Sequence, residues 1–132
     1  MTNLRVLIVD DHEVVRRGLR DILRDSPFVV CGEAENGKLA VEQTLELKPD
    51  IVLLDMSMPV MTGLQAAAKI RALSPPTKII VVTMHDSPQM ADEARAAGAD
   101  AYVTKMSAGK ELLATMAALF EPKTAENPRT DS

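Results

Sequence analysis

Val6-Leu7-Ile8-Val9-Asp10-Asp11 and Ile51-Val52-Leu53-Leu54-Asp55 share one design, four unbroken apolar residues that run straight into carboxylate. A third stretch, Ile79-Ile80-Val81-Val82-Thr83, repeats it with a hydroxyl at the end. Each run is too short for a helix and rich in β-branched side chains, and none alternates with polar residues. Continuous apolar runs of this length suit strands covered on both faces, which is the situation of a parallel sheet between two helical layers. Weaker strand signals lie at Val29–Ala34 and Ala101–Thr104.

Helical patterns fill the intervals. Glu13 to Arg24 carries Val15, Leu19 and Ile22 on one face. A second helix is expected after Asn36-Gly37, ending near Lys48-Pro49 where proline cannot continue it. Thr62-Gly63-Leu64-Gln65 has the spacing of a capping box. Asp86-Ser87-Pro88 offers a cap and an early proline for a fourth helix that closes at Gly98. A fifth follows Ser107, with Leu112, Leu113, Met116 and Leu119-Phe120. Five alternations of strand and helix predict one doubly wound α/β sandwich. Residues 121–132, with Pro122, Pro128 and no apolar face, read as a polar tail or the start of a linker.

Composition bounds the function. The chain has 132 residues, a net charge of −4 and 2% aromatic side chains, so a nucleic-acid platform of basic patches and stacking rings is excluded as the expectation. One cysteine, Cys31, forms no internal disulfide, no apolar run spans a bilayer, and the first residues lack a signal-peptide layout. The expected location is the cytoplasm, with no membrane partner.

The chemistry is expected where the strands end, because ligands of open α/β sheets bind outside the carboxyl ends of the strands. Asp10, Asp11, Asp55, Thr83, Thr104 and Lys105 all fall there. Three carboxylates on one edge repel one another unless a cation or a proton intervenes. Mg²⁺ takes oxygen ligands, needs few carboxylates and keeps its waters, which leaves one carboxylate free to react. A carboxylate beside such a cation and a lysine can attack a phosphoryl group and hold it as an acyl phosphate. Thr83 is positioned to donate a further hydrogen bond.

Taken in order, Asp10-Asp11, Asp55 with Met58-Pro59 and Gly63, Thr83, and Tyr102 with Lys105 resemble the receiver domain of bacterial two-component response regulators. The resemblance covers about residues 4–120. It implies the flavodoxin-like (βα)5 fold with strand order 2-1-3-4-5, and Asp55 as acceptor of a phosphoryl group from a histidine kinase or phosphotransfer protein. It also implies Mg²⁺ held by Asp11, Asp55 and the backbone carbonyl of Ser57, with Asp10 acting mostly through water. Lys105 and Thr83 would contact the phosphoryl oxygens, and Thr83 with Tyr102 would form the switch pair. Asp10-Asp11-His12-Glu13-Val14-Val15-Arg16-Arg17-Gly18-Leu19 resembles the NarL branch, whose members usually carry a helix-turn-helix output domain.

On this reading the domain is a switch that assists its own phosphorylation, not an enzyme acting on a separate substrate, and phosphate tunes self-association through its fourth and fifth helices. A stand-alone receiver is the main alternative. A Mg²⁺-dependent phosphatase of the haloacid-dehalogenase type would want an aspartate where Ser57 stands, and a flavin module would want a glycine-rich loop and stacking aromatics. His12 and His85 are read as loop residues without a catalytic role. Met106 replaces the proline common after the lysine, so the Lys105–Met106 bond is expected to be trans or strained. Met56, Met58, Met61, Met84 and Met106 cluster near the site and are read first as core filler and second as an adaptable partner surface.

Overall fold

A computed structural model describes residues 4–120, apart from 57, 59, 85 and 86. Five strands and five helices alternate through it. They are β1 (Leu4–Val9), α1 (Glu13–Leu23), β2 (Phe28–Ala34), α2 (Gly37–Leu47), β3 (Ile51–Leu54), α3 (Gly63–Leu73), β4 (Lys78–Thr83), α4 (Pro88–Ala96), β5 (Ala101–Thr104) and α5 (Ala108–Ala118). All strand pairs are parallel, in the order β2-β1-β3-β4-β5, so the expected fold class and strand order hold. The order reverses between β1 and β3, and both strands end in aspartate there.

The unbroken apolar runs have the expected cause. Val6 and Ile8 of β1 face a core shared with Leu19 and Leu23 of α1 and with Leu112 and Met116 of α5. Leu7 and Val9 point the other way, into a core with Ala40 of α2 and Ala66, Ala67 and Ile70 of α3. Side chains alternate across a strand, so burial on both faces demands an apolar residue at every position. Every residue of β3 is fully buried for that reason.

Local signals set the helix starts. The Asn36 side chain accepts from the Leu39 N–H at 2.8 Å, and Thr62 and Gln65 close a reciprocal capping box. Ser87 caps α4, with Pro88 at its first position. Helix ends depart slightly from the expectation. α1 stops at Leu23 because Arg24 is already extended. α2 stops at Leu47, where Lys48 turns left-handed (φ 51°) one residue ahead of Pro49. The expected tail, residues 121–132, lies outside the described residues. So does Asp86.

One strained position escaped the sequence reading. Val60, in the segment between β3 and α3, has φ 71° and is exposed. A β-branched residue is a poor occupant of the left-handed region, where glycine costs nothing. Val60→Gly is expected to stabilise the fold by about 1 kcal/mol, read as a higher midpoint in urea with an unchanged slope. A lower midpoint would show that the Val60 side chain contributes more than its backbone costs.

Candidate phosphoacceptor site

The site is built from strand ends pinned by backbone hydrogen bonds. The Asp10 N–H donates to Ala34 O, the Asp55 N–H to Val9 O, and the Lys105 N–H to Thr83 O at 2.7 Å. Each functional residue therefore sits one step beyond its strand, still held by the ladder. Gly63 opens α3 directly over this edge. Its N–H donates to Met56 O, and a Cβ there would lie 2.0 Å from Asp55 O. Only glycine lets the helix start so close to the strand end that carries Asp55.

Asp10 and Asp55 are buried, at 1% and 5% exposure. Between them lies the Lys105 ammonium, with Nζ 2.8 Å from Asp10 Oδ2 and 3.3 Å from Asp55 Oδ1. The second carboxylate oxygen of Asp10 accepts the His12 N–H at 2.9 Å. Burial, then the neighbouring charge of Asp10, push the Asp55 carboxyl upward from its ordinary value, against the opposing pull of Lys105. Burial works against the Lys105 ammonium, but its hydrogen bond with Asp10 and the charge of Asp55 outweigh it, so its pKa rises.

Asp11 is more open to solvent, and its carboxylate, that of Asp10 and the His12 ring offer three ligand atoms within 4.8 Å of one another. His12 Nδ1 lies 3.1 Å from each of the two carboxylates. Three carboxylates facing one ammonium leave the pocket with excess negative charge. An oxygen-rich donor set with that surplus fits a hard divalent cation. Of the expected site residues, the structure thus brings Asp10, Asp11, Asp55 and Lys105 together. The Ser57 carbonyl lies outside the described residues, as does His85.

Thr83 is buried at the end of β4, beside Thr104 of β5 in register. Tyr102 is half-buried and packs on the cluster of Met56, Val81 and Ala94 beneath α4. The two expected switch residues therefore sit on neighbouring strands. Among the described residues no peptide bond is cis, so Lys105–Met106 is trans.

The methionines divide. Met56, Met58 and Met61 fill the core as expected. Met84 and Met106 do not, since they are 63% and 90% exposed. Short connections that leave the strand ends hold no layer above them, so bulk placed there faces solvent.

Residues 6–117 match the response regulator receiver domain profile. The chain belongs to the response regulator receiver family. This receiver is 42% identical to the transcriptional regulatory protein YdfI of Bacillus subtilis over 113 residues, which are 85% of the chain and 53% of that protein. It is 46% identical to the chemotaxis protein CheY of Thermotoga maritima over 101 residues, 76% of the chain and 84% of CheY. Among solved structures, a LuxR-family two-component response regulator from Aurantimonas superposes with a TM-score of 0.84 at 36% identity, covering 89% of this chain and 85% of that one. The receiver spans about half the length of YdfI and of the Escherichia coli regulator UvrY, of which it covers 54%. Receivers of this family serve phosphorylation-dependent signalling. Among the described residues no helix is long and apolar enough to cross a membrane.

Sequence reading missed Arg16. Arg16 reaches the Asp10 carbonyl from α1, and only a fold places it there.

The raised Asp55 pKa has a stability consequence. With its folded value above its unfolded one, ionised Asp55 costs stability that is absent below the unfolded pKa and appears as pH rises through the folded pKa. In chelator-treated protein, Asp55→Asn is expected to raise the melting temperature at pH 7 by roughly 2–6 °C, and the gain should vanish in acid. A gain that persisted at low pH would assign it to something other than charge.

Proposed function

We propose that this receiver takes a phosphoryl group onto Asp55 from a phosphohistidine-bearing kinase or phosphotransfer protein, and passes the signal on through protein contacts. The observation that carries the proposal is the Lys105 ammonium bridging two buried carboxylates, Asp10 and Asp55. It makes one carboxylate available for attack while fixing a cation where phosphoryl oxygens must arrive.

An Asp55 carboxylate oxygen attacks phosphorus, the P–N bond to the donor imidazole breaks, and the imidazole leaves to take up a proton. Lys105 exchanges part of its contact with Asp55 for a phosphoryl oxygen, so its charge stays matched. Thr83 supplies a hydroxyl toward the same group. Asp11 and Asp55, with Asp10 acting mostly through water, would hold Mg²⁺, which would supply positive charge to offset that of the phosphoryl group. The acceptor is an aspartate of the protein itself, so the chain works as a switch rather than as an enzyme with a separate substrate. Tyr102, on the strand next to Thr83, is the proposed reporter. Phosphate biases it only through contacts that differ between its two positions.

The exposed apolar residues support a protein as donor. Val14 near the start of α1, and Val60, Met84 and Met106 on the connections after β3, β4 and β5, are all exposed and follow the strand ends that carry the acidic residues. Apolar residues beside a charged centre are the anatomy of a docking surface. Relatives of about twice the length, one of them a transcriptional regulatory protein, support a transcriptional output. Self-association through the faces of α4 and α5 is proposed as its trigger, with no direct nucleic-acid contact by this domain.

With acetyl phosphate and Mg²⁺, intact-mass analysis should show one phosphoryl adduct, lost in Asp55→Asn and on chelation. Equal uptake by Asp55→Asn would contradict the assignment. Met106→Asp is expected to slow transfer from a phosphohistidine kinase domain by about tenfold, while uptake from acetyl phosphate stays within about twofold. An equal fall with both donors would place Met106 in the chemistry rather than in docking.

A further inference from the structure

Arg16 makes three hydrogen bonds from one guanidinium on the inner face of α1. Nη1 donates to the backbone carbonyl of Asp10 at 2.6 Å, Nε to Glu33 of β2 at 3.0 Å, and Nη2 to Glu13 of α1 at 2.7 Å. Its side chain is only 14% exposed. The fork therefore ties the end of β1 to β2 and to the first turn of α1 through one rigid plane.

The contact with Asp10 matters because of what shares its peptide plane. The peptide unit is planar, so holding the Asp10 carbonyl also sets the nitrogen and Cα of Asp11. Asp10 is otherwise fixed on every side, by Ala34 O, the His12 N–H and Lys105. Asp11 is less enclosed: its carboxylate is partly exposed, with the His12 ring 3.1 Å away. Its backbone starts from the plane that Arg16 holds.

Charge is arranged to permit this. A bare guanidinium beside the acidic cluster would compete with a bound cation. Here Glu33 and Glu13 each contact Arg16, so two carboxylates offset the charge and what reaches Asp10 is chiefly a hydrogen bond. Arg20 supplies a control within the same network. Among the described residues it pairs with Glu33 Oε2 at 2.6 Å and with Glu13 Oε2 at 3.6 Å, not with Asp10.

We propose that Arg16 is a positioning residue for the cation site, setting the Asp10–Asp11 peptide so that the Asp11 carboxylate is ready to ligate. The inference rests on the reading of Asp10 and Asp11 as the cation-holding pair. Groups that orient metal ligands typically change affinity by about 10–100-fold when removed.

Mg²⁺ titration of the isolated chain, followed by amide chemical shifts, separates the two ideas. Saturable shifts at Asp11 in the wild type establish the pair, and their absence overturns the reading of the site itself. Given wild-type binding, Arg16→Met keeps the aliphatic stem and should raise the Kd for Mg²⁺ by about tenfold or more. Arg16→Lys, which retains one donor for the carbonyl, should recover part of it. Arg20→Ala should lower the melting temperature yet leave the Kd within about twofold. Wild-type affinity in Arg16→Met, or equal weakening in Arg20→Ala, overturns the inference in favour of a merely structural clamp. Should Arg16→Met not fold, Arg16→Lys, which keeps the charge and loses the planar fork, is read in its place. Weaker Mg²⁺ binding there supports the inference, and unchanged binding overturns it.

Discussion

Two buried carboxylates on one sheet edge are tolerable only because Lys105 lies between them. Asp10 and Asp55 are carried by neighbouring strands whose apolar residues leave no room to retreat. Like charges at this depth cost several kcal/mol unless compensated. The ammonium, reaching across from the end of β5, compensates both at once. The rest of the edge follows from that bridge. The Thr83 carbonyl holds the Lys105 backbone, Gly63 clears space above Asp55, and Asp11 faces outward with charge to spare.

That surplus gives the site its sensitivity. On the proposed function, a phosphoryl group on Asp55 would turn one carboxylate into a dianionic group and give Lys105 new partners. The Thr83 carbonyl holds the Lys105 backbone, and the strand beside Thr83 carries Tyr102. A two-state response needs only contacts of unequal strength in the two arrangements. The fold supplies a short route for them, from strand end to the cluster beneath α4.

Much of this was legible in the chain. Three apolar runs ending in Asp10-Asp11, Asp55 and Thr83 implied a parallel sheet covered on both faces, and the sheet has that form. Asn36, Thr62 and Ser87 announced three helix starts correctly, because capping is decided within four residues. Where tertiary context decides, the chain was silent or misleading. Met84 and Met106 read as filler, yet exposure depends on whether any layer covers the loop. Val60 showed no local sign that its backbone would turn left-handed. Arg16 looked like one more polar helix residue until the fold set it against Asp10, six positions earlier and on another element.

The central claim is that the carboxylate bridged by Lys105 is the one that becomes phosphorylated. Borohydride reduction converts an aspartyl phosphate into homoserine, marking the residue permanently. After treatment with acetyl phosphate and Mg²⁺, reduction and peptide mapping should place homoserine at position 55 alone. Homoserine at position 10 or 11, or none at any position in a chain that has taken up phosphate, would contradict the account.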